Sequence, residues 1–313
     1  MNLYKYVTSF ALIDRLGIGG IFLMYAFFST TLSLAKSVLA FGPMVTYIGL
    51  RMVISGALLL VYYLVVMRKK IVLVRRRDLI GFINIALFGI CGSYVLSFWA
   101  LQHLSIAKSA FLLILSPFFT AFFAWLHGFE NFTSKKILGL TIGALGTIPI
   151  LMSKTADEAV FSSVFVLDVP EILTLISVAL YAYSWVEVKK LMNKGYDTSL
   201  INGMTMFLGG IATLMIAYFL DGWASGVSPV TDWAWYGVYV TGIVAVGTFC
   251  FSLYAHVLHR YSPTLISFFG FSEPFFAALF GWLFISEEIS WVFGVALCIV
   301  SVGLYIFYQE ELD

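Results

Sequence analysis

Residues 105–130 read SIAKSAFLLILSPFFTAFFAWLHGFE, and residues 262–287 read SPTLISFFGFSEPFFAALFGWLFISE. Laid over one another at an offset of 157, the two stretches agree at ten of 26 positions. Phenylalanine-rich segments match one another by composition alone. The aligned pairs Pro117/Pro274, Trp125/Trp282 and Glu130/Glu287 do not depend on that bias. The segments just upstream align too, with Gly92/Gly247, Ser97/Ser252 and Ala100/Ala255 at an offset of 155. The chain therefore reads as one unit written twice.

The material of that unit is apolar. Of 313 residues 61% are hydrophobic and 11% charged, with a mean hydropathy of +0.97. Soluble domains are nearer half apolar and a quarter charged. Apolar runs fall at about 16–38, 43–67, 79–101, 105–127, 134–153, 169–188, 198–220, 233–255, 263–285 and 289–308. Each is near the ~20 residues that carry a helix across ~30 Å of hydrocarbon. Helices are the expected form, because lipid offers no partner to an open strand edge. Cys91, Cys250 and Cys298 all lie inside these runs, where an odd number of thiols argues against a disulfide framework and for apolar packing. Residues 1–15 read as a cytoplasmic lead-in rather than a cleaved signal, because Lys5, Asp14 and Arg15 precede a long run with no small-residue cleavage site after it. The net charge of +1 says nothing about partners; a small-molecule substrate and the lipid bilayer are expected, and no nucleic acid.

Basic residues orient the runs. With the N-terminus inside, the inner segments hold fourteen Lys and Arg, the outer segments hold Lys36, Lys108 and Lys154, and Arg51 lies within a span. The reverse orientation inverts the ratio. The expectation is an all-α membrane protein of ten transmembrane helices, with both termini in the cytoplasm. Residues 16–153 form the first five-helix repeat and 169–308 the second, joined by an outer linker at 154–168 and closed by a tail at 309–313. Five is odd, so the second repeat runs inverted to the first, an arrangement that places a substrate site at mid-membrane between the halves.

With an arginine in the second helix (Arg51), a proline and a terminal glutamate in the fourth helix of each half, and a glycine-rich fifth helix reading LGLTIGALG, the chain resembles the EamA family of the drug/metabolite transporter superfamily. The resemblance covers about residues 18–306; His127-Gly128-Phe129 ahead of Glu130 is longer than the turn usual in the family. It implies a ten-helix, inverted-repeat secondary transporter in a bacterial inner membrane. It leaves the substrate open among amino acids, nucleotide-linked compounds, drugs and S-adenosylmethionine.

No phosphate loop of the G-x-x-x-x-G-K-[ST] type and no HExxH motif occurs, so neither ATP hydrolysis nor zinc chemistry is expected. No resident cofactor or metal is expected either. Ionisable groups inside a membrane cost several kcal/mol unless paired or hydrated, so they mark pathways. Arg51 lies eight residues into its span, about 12 Å deep at ~1.5 Å per residue. Glu273 lies ten residues into its span, directly before Pro274. Arg51 reads as a holder of a substrate carboxylate or a setter of local potential, and Glu273 as a cation or proton site; a structural ion pair or a backbone cap is the bland reading of each. Pro117 and Pro274 break matching helices, which marks a transport site or serves packing. Ser116 stands where Glu273 stands, so the charged contact comes from the second half. Phe98, Trp99, Tyr181, Trp185, Phe269 and Phe271 are candidate cavity aromatics, and Asn84 and Asn202 could bond substrate or a neighbouring helix. Lys36 and Lys108 read as snorkelling residues, Glu187 beside Lys189 and Lys190 as a solvated boundary charge, and Gly139-x-x-x-Gly143 as a close helix contact.

A lone carboxylate, a lone guanidinium and aromatic faces suit a zwitterion with a planar portion. The expected function is secondary transport of a small zwitterionic metabolite, an amino acid or an S-adenosylmethionine-like compound, by a monomer through alternating access. The alternatives are an efflux pump for hydrophobic cations, which needs no Arg51, and a membrane receptor or scaffold, which needs no cavity. An intramembrane enzyme is disfavoured, since no paired acid/base constellation occurs in the spans.

Overall fold

The structure, a computed structural model, describes residues 18–38, 41–66, 74–104, 109, 112–113, 115–131, 133–153, 168–222, 230–273, 275–276, 279 and 292–312. The lead-in at 1–15, the linker at 154–167, Lys108, Pro274, Trp282 and Glu287 lie outside them, as does the side chain of Lys36. Among the described residues every regular element is helical. In chain order they are α1 (Ile18–Val38), α2 (Met44–Val61, ending in a π turn Tyr62–Val66), α3 (Arg76–Leu101, with a π segment Ile85–Gly92), α4 (Ser116–Leu126) and α5 (Ser134–Ser153). The second half supplies α6 (Val169–Asn193), α7 (Thr198–Leu220), α8 (Trp233–Val257), α9 (Pro263–Phe268, extended by a 3-10 turn Phe269–Ser272) and α10 (Val292–Leu312).

Five of these, Met44–Val65, Arg76–Leu101, Val169–Asn193, Thr198–Leu220 and Trp233–Val257, are long and apolar enough to cross a membrane. Their outward faces carry Val65, Met215 and Phe219, all strongly exposed, which an aqueous surface does not tolerate in such density but lipid does. Helix starts follow local chemistry. Asp168 and Glu171 form a reciprocal capping box on α6, Asp197 accepts from the Ser199 amide at 2.9 Å, Asp232 from the Ala234 amide at 2.9 Å, and Ser262 from the Leu265 amide at 3.1 Å. Helix ends and apolar runs do not coincide everywhere. The sixth run was expected to end at 188, yet α6 continues to Asn193, because Lys189 and Lys190 can sit on a helix whose end has left the apolar layer. In the stretch expected as the tail, residues 309–312 continue α10 as helix.

The helix contacts repeat with the sequence. α2 packs on α7, α4 on α9 and α5 on α10, each joining like-numbered helices of the two halves. The other main pairs come as exchanged sets: α3–α6 with α8–α1, α4–α6 with α9–α1, and α3–α7 with α8–α2. Renaming the halves leaves this pattern unchanged.

Glycines set the closeness of two seams. On α2 and α7, a Cβ at Gly210 would lie 2.7 Å from the Val53 amide nitrogen, and one at Gly56 would strike the backbone at Phe207. On α5 and α10, a Cβ at Gly139 would lie 2.9 Å from the Gly303 carbonyl oxygen, and one at Gly303 2.7 Å from the Gly143 nitrogen. Lipid tails are as apolar as the helices, so dense van der Waals contact between backbones takes over from hydrophobic drive in holding such seams.

Candidate functional site

Arg51 is the sole charge on α2, and it is 2% exposed. Its Cζ lies 5.1 Å from the ring centroid of Tyr94 on α3, a cation–π contact that offsets part of the cost of removing a guanidinium from water. Gly247 on α8 lies alongside it, where a Cβ would be 3.4 Å from Arg51 Nε, in ordinary van der Waals contact. Among the described residues that Nε has no hydrogen-bond partner. A buried N–H left unmade costs about 1–3 kcal/mol, so the group is held ready at some expense.

Glu273 follows the 3-10 turn of α9. It keeps accessible surface despite dense protein around it, and among the described residues no hydrogen bond or ion pair reaches it. Tyr25 on α1 and Cys250 on α8 are both within electrostatic reach of it, and Cys250 is also within reach of Arg51. The two opposite charges thus bear on one interior region from different halves, without neutralising each other.

Aromatic rings wall that region. Trp185 on α6 stacks on Tyr254 of α8 with centroids 3.6 Å apart and planes 20° apart, and on Phe251 at 5.7 Å. Tyr94 meets Phe98 at 5.9 Å, Tyr181 at 6.1 Å and Phe251 at 6.4 Å. Phe28 closes on Phe251 at 6.3 Å, and Tyr25 on Phe28 at 6.0 Å. Offset and edge contacts of this kind add about 0.5–1.5 kcal/mol each to what burial of the rings contributes.

Of the residues singled out in the sequence, Arg51, Glu273, Phe98, Tyr181 and Trp185 gather here. Trp99 does not: it stacks on His103 at 4.4 Å and packs on a separate cluster with Ala100, Leu104 and Leu112. Phe269 packs edge-on against Phe22 at 4.8 Å. Phe271 faces α5, where a Cβ on Gly143 would be 2.7 Å from its ring. Asn202 donates to the Phe251 carbonyl at 3.2 Å, tying α7 to α8 beside the aromatic wall. Asn84 donates to the Tyr183 hydroxyl at 3.3 Å, away from Arg51 and towards the end of α6 that carries Lys190. Ser116 is half-buried at the start of α4 and its carbonyl accepts from Thr120 at 2.9 Å. Pro117 is buried in the first turn of α4, where a residue with no N–H to give leaves no helical bond unmade. Tyr25, Tyr94, Cys250, Phe251 and Tyr254 were not anticipated. The repeat carried a signal for one of them, since Tyr254 stands at the same offset of 155 from Trp99 that joins Gly92 to Gly247.

Glu187 overturns its expected role as a solvated boundary charge. It is 3% exposed, accepts from Lys190 Nζ at 2.9 Å and meets His127 Nε2 at 3.1 Å. The reason is placement: residue 187 points from α6 towards α3 and α4, where a Cβ on Gly81 would lie 3.5 Å from its Oε2. Nearby, Asp78 on α3 accepts from Lys194 at 2.6 Å and from the Tyr196 hydroxyl at 2.8 Å. Cys91 and Cys250 are buried and Cys298 is exposed on α10. Among the described residues no three His, Cys, Asp or Glu side chains come together as a metal site would require.

The comparisons with known proteins agree with this geometry. The profile of the EamA-like transporter family matches residues 15–152 and again residues 169–309. An S-adenosylmethionine/S-adenosylhomocysteine transporter of Chlamydia muridarum is 27% identical over 302 residues, covering 96% of this chain and 93% of the relative. A protein of the same name from Chlamydia trachomatis serovar L2 is 28% identical, covering 93% of this chain and 88% of the relative. One crystal structure superposes with a TM-score of 0.70 over 97% of this chain and 99% of that one, at 19% identity, a likeness of fold. The family and both relatives are named as transporters, which makes this chain a transporter rather than an enzyme. A double family match, apolar helices arranged in two exchangeable sets, and a charged aromatic interior lead to one conclusion: this chain belongs to the EamA-like transporter family.

Proposed function

We propose that the protein is a secondary carrier for a zwitterionic metabolite of the S-adenosylmethionine/S-adenosylhomocysteine kind. One observation carries the reading: Arg51 and Glu273 flank the same aromatic interior from opposite halves and form no ion pair with each other. A guanidinium recognises a carboxylate, a carboxylate recognises an ammonium or sulfonium, and ring faces receive a base or a cation. An α-amino acid joined to an aromatic base presents all three groups. The relatives named S-adenosylmethionine/S-adenosylhomocysteine transporters, covering nearly the whole chain, support the same class.

In this reading the chain crosses a bacterial inner membrane ten times with both termini inside, as a monomer, its second half inverted to its first. The exchangeable contact pattern and the inner excess of Lys and Arg support that topology. Substrate binds between the halves, and rocking of one against the other opens the site to each side in turn. The alternative of efflux of hydrophobic cations uses Glu273 and the rings, but Arg51 in the same wall repels its substrates.

Purified protein in liposomes loaded with S-adenosylhomocysteine tests the proposal. Labelled S-adenosylmethionine is expected to accumulate by saturable counterflow and to be competed by unlabelled S-adenosylhomocysteine. Folded protein that exchanges neither compound, or that is inhibited instead by a broad range of hydrophobic cations, would sink it.

A further inference from the structure

Lys136, Lys190 and Lys194 are each met by a carboxylate: Glu130 at 3.1 Å, Glu187 at 2.9 Å and Asp78 at 2.6 Å. Arg51 is buried more deeply than any of the three, and among the described residues no carboxylate pairs with it. Its partner is the Tyr94 ring, 5.1 Å from Cζ to centroid. The two kinds of partner leave a cation in different states. A carboxylate consumes N–H groups, which all point outward in the guanidinium plane. A ring attracts the charge through its π face and consumes none. The Tyr94 hydroxyl also bears on Arg51, yet Nε keeps its N–H unmade. On α8, a Cβ at Gly247 would lie 3.4 Å from Nε, 3.6 Å from Cζ and 3.8 Å from Nη2. An atom off the N–H edge would be farther from Cζ than from both nitrogens, so Gly247 covers a face and not that edge. Tyr94 is itself braced, by Phe98 on its own helix and by Tyr181 and Phe251 from the second half.

We propose that Tyr94 is a positioning residue that makes the carrier selective for substrates bearing a carboxylate. Its ring holds the Arg51 guanidinium, so the cation needs no acidic partner from the protein, and the fork at Nε is offered to the substrate. An acidic side chain in the place of Tyr94 would have to be displaced by each arriving carboxylate. A ring face does not compete, because attraction through the face and hydrogen bonding in the plane act together on one guanidinium. A substrate without a carboxylate leaves the Nε proton unmade and meets an uncompensated positive charge. The proposal rests on the carrier reading above and assigns to it a residue that governs which substrates are accepted.

Counterflow by the full-length protein, in liposomes loaded with S-adenosylhomocysteine, separates the two ideas. The probes are S-adenosylmethionine and its decarboxylated form, which differ only in the carboxylate. The wild-type protein is expected to move the decarboxylated compound at least about tenfold less efficiently, as sites built around a hydrogen bond reject analogues that cannot make it. Tyr94→Phe keeps the ring and is expected to keep that preference. Tyr94→Leu removes the π face; it is expected to raise the KM for S-adenosylmethionine about tenfold and to bring the two efficiencies within about threefold of each other. Fluorinated phenylalanines at position 94 weaken the face with little change of shape, so KM should climb with each fluorine even if Tyr94→Leu does not fold. Equal transport of both probes by the wild type overturns the proposal and leaves the carrier reading standing. Transport of neither overturns both. A KM that ignores fluorination, or a folded Tyr94→Leu that loses both probes alike, reduces Tyr94 to a packing residue and overturns the proposal alone.

Discussion

Glu273 and Glu187 are both carboxylates set among apolar helices, and the protein treats them oppositely. Glu187 is joined by Lys190 at 2.9 Å and His127 at 3.1 Å, linking α6 to α4. Glu273 has no such partner among the described residues, and neither does Arg51 Nε. Removing a charge from water is repaid by pairing and hydrogen bonding, and a group left unpaired stays costly until something arrives to complete it. A paired carboxylate ties helices together. An unpaired one is, in the proposed carrier, where a ligand's cation would complete the pairing.

That contrast can be broken experimentally. Glu273→Gln has the largest expected effect: counterflow abolished, with the thermal midpoint of the purified protein unchanged or raised. Retained transport would remove Glu273 from the site. Glu187→Gln is expected to do the reverse, lowering stability by about 1 kcal/mol because the amide oxygen still accepts but no longer carries the charge that Lys190, 41% exposed, and His127 meet, while transport per folded molecule is retained. If Glu187→Gln stops transport in a protein that unfolds at the wild-type temperature, the two carboxylates do not divide into a helix tie and a binding group. Arg51→Lys keeps the charge but loses the planar fork, and should raise the KM for substrate about tenfold, equivalent to ~1.4 kcal/mol.

The smallest effect expected is at Asp221, just beyond α7. It accepts from the Thr46 amide at 2.6 Å and the Thr46 hydroxyl at 2.7 Å, yet burial outweighs these bonds and raises its pKa above the usual carboxylate value of 3.8. A raised folded-state pKa favours the protonated folded form. The stability it contributes is complete below pH 3.8 and is lost as pH climbs from there through the raised value. Asp221→Asn should flatten that part of the pH dependence of the thermal midpoint. A variant whose midpoint tracks that of the wild type across the window would show that Asp221 does not titrate differently on folding.

Much of this was readable from residues. The repeat appeared because Pro117, Trp125 and Glu130 recur at one spacing, and Arg51 and Glu273 stood out because a charge in an apolar run is conspicuous. The aromatic wall was harder. The chain has 30 Phe, 17 Tyr and 8 Trp, and helices that are apolar all round carry no pattern telling an inner face from a lipid face. Trp99 and Phe271 were consequently grouped with Trp185, although α3 turns Trp99 towards His103 and α9 turns Phe271 towards Gly143. Glu187 was misread because its neighbours Lys189 and Lys190 suggest water, whereas its own side chain turns inward.

The glycine seams have a consequence for how such a protein can change over generations. A methyl group added at Gly56 or Gly210 meets main chain from the opposite half, which no rotamer can move aside. Hybrids that take one half from a relative would therefore inherit an incompatible joint unless the facing residues came with it. The duplicated units, though separate stretches of sequence, are obliged to evolve as a couple.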